Sequence, residues 1–293
     1  MKIKNVIKGI ALTTVVAGTA VVVLVRRFVK DILYRDHIRK IEFGDERAEN
    51  VRIQDESQNV LNGFLIEKEG ANTTLLMLHG LKQDATSLID YIPYFEKMLP
   101  DANILLVDAL SHGMSDGFVR GLGMNDAHSI IIWNKYILKR FGDDQRIIIY
   151  GKGAGAVAAL TASDQLTNVD IIISDGAYRN LIRYLCDSCA RRYGVPQRLS
   201  EPLIRLQIKH ETGMDIVDGN TVNAVAKNQI PTIFVHSKAD DDVPFKHVFR
   251  IYNKNAGECA LFPIKEDHLY DMNPEEAYSK TLDTFVRNYR YHG

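Results

Sequence analysis

At 293 residues, with 46% hydrophobic and 25% charged content, the chain has the composition of an ordinary globular protein and the length for a large core without staples. A formal net charge of -1 supplies no broad basic field and argues against a nucleic-acid partner. Three cysteines, Cys186, Cys189 and Cys259, are too few for a disulfide framework. The Cys186-x-x-Cys189 pair lies in a helical-looking stretch without the second Cys/His pair that zinc needs, so no metal and no cofactor is expected.

In chain order, the run from Gly9 to Val25, GIALTTVVAGTAVVVLV, carries no charge and lies between Lys2, Lys4 and Lys8 on one side and Arg26, Arg27 and Lys30 on the other. This predicts an N-terminal transmembrane helix, a membrane anchor within residues 1–28. It is at the short end of what spans about 30 Å of hydrocarbon, so Lys8 and Arg26 must reach to the interfaces. A cleaved signal peptide is the competing reading. It fits less well because VVVLV continues the apolar run past Gly18-Thr19-Ala20, where a cleavage site would close it. The basic excess after the run favours a cytoplasmic C-terminal side, but long domains translocate regardless of that bias. The expected location is the cell membrane, single-pass, with the side of the folded part open.

Residues 29–50 are dense in charge and read as a juxtamembrane linker; the folded domain is expected over 51–293. Short apolar runs follow, each closed by a polar or glycine turn: LNGFLIE, TLLMLHG, NILLVDA, RIIIYG, VDIIISD, TIFVHS and ALFPI. Most are continuous rather than alternating, which predicts strands covered on both faces. Helical stretches at 86–97, 126–141, 154–162, 246–255 and 274–289 lie between or after them. The predicted architecture is therefore α/β, a mostly parallel central sheet flanked by helices. The interval 176–229 breaks the rhythm with helices and no strong strand. A helical cap or lid insertion and a long elaborated crossover fit it equally.

The run RIIIYGKGAGAVAAL places Gly151-Lys152-Gly153-Ala154-Gly155 between a strand and a helix, the context of the G-x-S-x-G turn that exposes a nucleophilic serine. Two motifs precede it: LLMLHGLKQD with His79-Gly80, and VDALSHGMSDG with Asp108 and His112-Gly113. Two follow it: VHSKADDDVP with Asp240, and IKEDHLYDMNP with His268. In this order the motifs resemble the α/β-hydrolase superfamily over nearly all of 51–293. More narrowly, they are similar to its bacterial membrane-anchored serine aminopeptidase- and esterase-like members.

The resemblance implies a nucleophile, acid and histidine in that chain order, at Gly153, Asp240 and His268, with an oxyanion hole from the backbone N–H groups of Leu81 and Ala154. Gly153 is the departure. Glycine has no hydroxyl to attack a carbonyl, so acyl-enzyme chemistry cannot run through it. The G-x-G-A-G-A pattern is similar to the elbow of the N-myc downstream-regulated proteins, hydrolase-fold members regarded as non-enzymatic. His79 and His112 read as structural turn residues, Asp241 and Asp242 as solvated loop charges, and Lys152 as a side chain projecting away from the elbow.

The expected function is thus an inactive or impaired hydrolase, a pseudo-enzyme that binds a small acyl, lipid or peptide-like ligand or a protein partner. The alternative is weak esterase- or peptidase-like hydrolysis by water that His268, oriented by Asp240, activates. A scaffold presenting the 176–229 surface is the third reading.

Overall fold

A computed structural model of the chain describes residues 2–35, 42–216, 220–265 and 277–290. It contains α1 (Lys2–Leu33), β1 (Glu49–Gln54), β2 (Val60–Ile66), β3 (Thr73–Leu78), α2 (Ile92–Met98), β4 (Ala102–Val107), α3 (Ala127–Phe141), β5 (Arg146–Lys152) and α4 (Ala154–Ala162). After these come β6 (Val169–Asp175), α5 (Leu181–Tyr193), α6 (Gln197–Thr212), α7 (Thr221–Val225), β7 (Thr232–Ser237), α8 (Lys246–Tyr252), β8 (Cys259–Ile264) and α9 (Ala277–Arg290). They form two compact units, one helical within residues 1–34 and 181–219, the other α/β within 35–180 and 220–293.

The α/β unit holds one eight-stranded sheet in the order β1-β2-β4-β3-β5-β6-β7-β8. β2 runs antiparallel to β1 and β4; every other pairing is parallel. Residues two apart along the strands, Leu75 and Met77, Ile148 and Tyr150, Ile171 and Ile173, join the aromatic and aliphatic side chains of α2 and α9 in one core. The intervening Leu76, Ile149 and Ile172 are equally buried and point to the opposite face, where α4 packs on β5 and β6. Two covered faces are the physical reason that these strands read as unbroken apolar runs.

β1 has no counterpart among the apolar runs of the sequence. It is an edge strand on which only Val51 is buried, so its composition stays polar. The helix expected over 86–97 is divided into a 3-10 turn at Ala85–Tyr91 and α2. Pro93, which has no N–H to give to the preceding turn, sits in the first turn of α2, where that loss costs nothing. The interval 176–229 holds α5, α6 and α7 and no strand among its described residues. Cys186 and Cys189 are buried free thiols on α5.

The N-terminal segment departs from expectation. Among the described residues, no helix is long and apolar enough to cross a membrane. Nor does a linker begin at residue 29. α1 continues to Leu33 with Val25, Phe28, Val29, Ile32 and Leu33 all buried, packed on α6 and α5. Phe28 meets Tyr193 edge to face at 6.3 Å, the Tyr34 hydroxyl donates to Glu211 at 2.5 Å, and Arg192 pairs with Asp31 at 2.6 Å. The charges of 26–31 belong to the solvent side of a helix whose other side is apolar at i, i+3, i+4 and i+7. A window of mean charge reads such a segment as a linker because it averages the two faces.

Candidate active site

The turn between β5 and α4 is built by three glycines with different reasons. A Cβ on Gly151 would lie 2.6 Å from the Ala156 backbone, and one on Gly155 2.6 Å from the Leu78 carbonyl oxygen and 2.7 Å from that of His79. These two positions must be glycine for the helix to pack against the strand ends. Gly153 is different. Its φ of 51° and ψ of -110° form a sharp turn that glycine adopts without strain but an L side chain rarely does, yet a Cβ there would find nothing nearer than the Gly80 Cα at 3.8 Å. The turn is pinned because the Gly153 N–H donates to the Asp175 carbonyl at 2.8 Å, while its own carbonyl accepts from Val157 at 3.1 Å. The elbow thus keeps its conformation and side-chain room without a side chain.

Gly80 and Leu81 follow β3, and Gly80 faces this turn from the neighbouring strand. The Gly80 N–H donates to Gln83 Oε1 at 3.1 Å, so Leu81 carries the next amide along the loop. Ala154 N is the first amide of α4, where the helix dipole adds partial positive charge. His79 fixes this loop. The Ala109 N–H donates to its Nε2 at 3.0 Å, so Nε2 is the acceptor and the proton must sit on Nδ1, which donates to the Gly80 carbonyl at 2.8 Å. The imidazole ties the loop after β3 to the loop after β4.

Asp108, fully buried, ties the same loops further. It accepts from the Ala85 N–H at 2.8 Å, the Met114 N–H at 2.8 Å and Asn62 Nδ2 at 2.9 Å. Burial pushes its carboxyl above the usual range, and those donors together with His79 oppose that shift. His112 donates from Nδ1 to the Leu110 carbonyl at 3.0 Å, and burial and His79 lower its pKa to about 2, so it is neutral. His79, Asp108, His112, Trp133 and Ala154 help line a cavity of about 20 Å³, the room of about one buried water. It lies behind the elbow and is too small for an acyl group.

Asp240 stands in the loop after β7. Its Oδ1 accepts from the N–H groups of Asp242 at 2.8 Å and Val243 at 2.7 Å, which locks its rotamer. Oδ2 lies beside Gly176, the residue after β6, where an added Cβ would be 3.5 Å away. Burial raises the Asp240 carboxyl, with Val243 and His236 opposing. His236 Nε2 is 3.7 Å from Oδ2, but it donates to the Val243 carbonyl at 2.7 Å and burial lowers its pKa. Burial thus disfavours the charged imidazole that a salt bridge to Asp240 would need.

The loops after β5 and β7 are separated by β6, so Gly153 and Asp240 stand two strand spacings apart, about 10 Å, at the carboxyl end of the parallel strands. An imidazole could bridge that gap. His268 follows β8 in sequence and lies outside the described residues. Lys152 turns away from the elbow: its Nζ donates to the Tyr91 hydroxyl at 3.2 Å and lies 5.5 Å from that ring's centroid. Sequence reasoning missed the ties made by Asp108 and His79; the only signal for them was a polar residue directly after each apolar run.

Three solved structures share this architecture. The Pyrococcus furiosus esterase Pf2001 matches with a TM-score of 0.69 and 17% identity over 88% of this chain and 98% of its own. The chain has the α/β-hydrolase fold. The hydrolase GrgF from Penicillium matches with a TM-score of 0.63 and 16% identity, covering 83% of this chain and 99% of that one. Est1E from Butyrivibrio proteoclasticus, with ferulic acid bound, matches at 0.60 and 18% identity over 82% and 99%. By sequence, the uncharacterised Bacillus subtilis protein YqkD is 25% identical over 236 residues, covering 78% of this chain and 75% of its own. No protein-family model matches the chain. Among the described residues, no group of three or more His, Cys, Asp or Glu is arranged to hold a metal ion.

Proposed function

We propose that this protein is a disarmed hydrolase: an α/β-hydrolase scaffold of the esterase and serine aminopeptidase kind that binds a small acyl, lipid or peptide-like ligand, or a protein partner, without covalent turnover. The observation that carries the reading is Gly153. It occupies the positive-φ elbow conformation with open space where a serine side chain would project, next to Gly80 and at the start of α4. Glycine holds this positive-φ turn without strain, whereas an L side chain there costs about 1–3 kcal/mol. The charge-free run Gly9–Val25 supports attachment at a membrane.

The test is Gly153→Ser. The full-length protein as found and the serine variant are assayed against a series of acyl esters, with fluorophosphonate labelling in parallel. Labelling and turnover by the serine form alone support the reading, since they require a competent oxyanion hole and an Asp240–His268 pair. Robust ester turnover by the glycine form overturns it. The braced Asp240 carboxylate favours the second reading, in which His268 activates water. That reading requires glycine-form turnover, without labelling, to vanish in His268→Ala.

A further inference from the structure

Charge divides sharply between the two units. Residues 1–34 and 181–219 contain twelve lysines and arginines against six acidic residues, a net of +6, while the rest of the chain carries -7. The near-neutral total conceals a basic helical unit. The same unit exposes apolar side chains that none of the described residues covers. On α6, Ser200, Ile204 and Ile208 are buried, while the opposite face presents Leu199 at 51% and Leu206 at 68% exposure. Leu203, half-buried, lies between them. A helix burying one apolar face and exposing another has two apolar partners; the described residues supply the first.

α1 behaves similarly along its length. Its packed face, Val25, Phe28, Val29 and Ile32, opens N-terminally at Gly18 and Val22, which share that face and are exposed. Val23 is 58% exposed. The helix itself continues N-terminally through the charge-free run that begins at Gly9. A residue-by-residue rise of about 1.5 Å puts roughly 34 Å of helix before Val25.

We propose that the helical unit docks on an anionic phospholipid surface, with the Leu199–Leu203–Leu206 face of α6 lying at the interface and the exposed Val22 and Val23 of α1 meeting the same apolar layer. Arg198, exposed, and Lys209, 62% exposed and only 3.5 Å from the equally open Asp215, flank the leucines and face lipid phosphates. Exposed leucines exclude a purely electrostatic partner such as nucleic acid. The basic excess matches an anionic surface, which attracts each such residue independently. This inference rests on the helical unit alone and does not depend on the reading of the elbow.

The experiment uses the full-length chain, in a Cys259→Ser background, with an environment-sensitive fluorophore at Leu206→Cys, or at Phe249→Cys on the α/β unit. It is mixed with phosphatidylcholine vesicles, and with the same vesicles containing about one third phosphatidylglycerol. The Leu206 label is expected to shift to the blue on the anionic vesicles and the Phe249 label to stay unchanged. Arg198→Gln with Lys209→Gln should weaken vesicle binding about thirtyfold. Leu199→Asp with Leu206→Asp should weaken it at least about tenfold, both with unchanged melting temperature because these side chains are exposed. Flotation with a silent Leu206 label would overturn the α6 docking, leaving attachment to α1 alone. Equal binding to both vesicle types, or displacement by RNA, would overturn the anionic-lipid assignment.

Discussion

Replacing Gly153 by serine and Gly155 by alanine should have opposite consequences, although both add one side chain to the same five-residue turn. At Gly155 the new Cβ would stand 2.6 Å from the Leu78 carbonyl oxygen, 2.7 Å from that of His79 and 2.8 Å from the Leu78 carbonyl carbon. These are backbone atoms of β3 and the loop after it, paired on both sides, so they cannot swing aside. Overpacking of this kind costs about 3 kcal/mol or more, beyond the roughly 1 kcal/mol that alanine returns through helix propensity. At Gly153 the new side chain meets only Gly80 Cα at 3.8 Å. The cost there is φ/ψ strain of about 1–3 kcal/mol, reduced by about 0.4–1 kcal/mol because serine restricts the unfolded chain. For a chain of this size, about 1 kcal/mol moves the melting temperature by roughly 2–4 °C. Differential scanning calorimetry should therefore find Gly155→Ala lowered by about 6–12 °C and Gly153→Ser by about 2–6 °C. A Gly153→Ser variant as damaged as Gly155→Ala would refute the claim that the elbow has room for a nucleophile.

Asp240→Asn keeps an oxygen for the Asp242 and Val243 amides, so stability should change by under about 1 kcal/mol, while in the Gly153→Ser background esterase turnover should fall about 10⁴-fold because the amide cannot hold the imidazole tautomer; equal turnover would remove Asp240 from the site. His112, buried and neutral with its pKa lowered to about 2 from a usual 6.5, contributes stability that is present above pH 6.5 and lost as pH falls, because the unfolded chain then binds the proton first. Denaturant titrations should show stability falling below pH 6.5, and His112→Asn, which keeps a donor for the Leu110 carbonyl, should flatten that slope by about 1.4 kcal/mol per pH unit; an unchanged slope would mean that His112 titrates normally. Asp108→Asn presents an NH₂ to a site already supplied with three donors and should destabilise by about 2–4 kcal/mol in the same titrations. Phe28→Ala removes a fully buried ring and should cost about 3–5 kcal/mol, read as early proteolysis within residues 181–219; resistance equal to wild type would mean that α1 does not stabilise that unit.

The sheet was legible in the amino-acid order because strands buried on two faces tolerate few polar residues, so β2 to β7 each appear as an apolar run with its end marked by a turn; the edge strand β8 is apolar as well, although only Ile264 of it is buried. The elbow was legible for a related reason: Gly151 and Gly155 are there because backbone from α4, β3 and the loop after it crowds them, and that crowding leaves a pattern at fixed spacing. Gly153 was recognisable by contrast, as a glycine where the same turn has room for a side chain. What the order of residues left undetermined depends on partners distant along the chain. Phe28, Val29 and Ile32 read as the edge of an anchor and a linker until α5 and α6, some 150 residues later, are seen to bury them. β1 is a strand only because β2 is beside it. His79 and Asp108 look like turn residues, and their work of tying the loops after β3 and β4 follows from a parallel pairing that no local pattern records. The sequence by itself determined which segments must be buried and which turn could present a nucleophile; only the tertiary structure decided what covers each buried face, because burial is a property of pairs of segments and sequence periodicity reports one segment at a time.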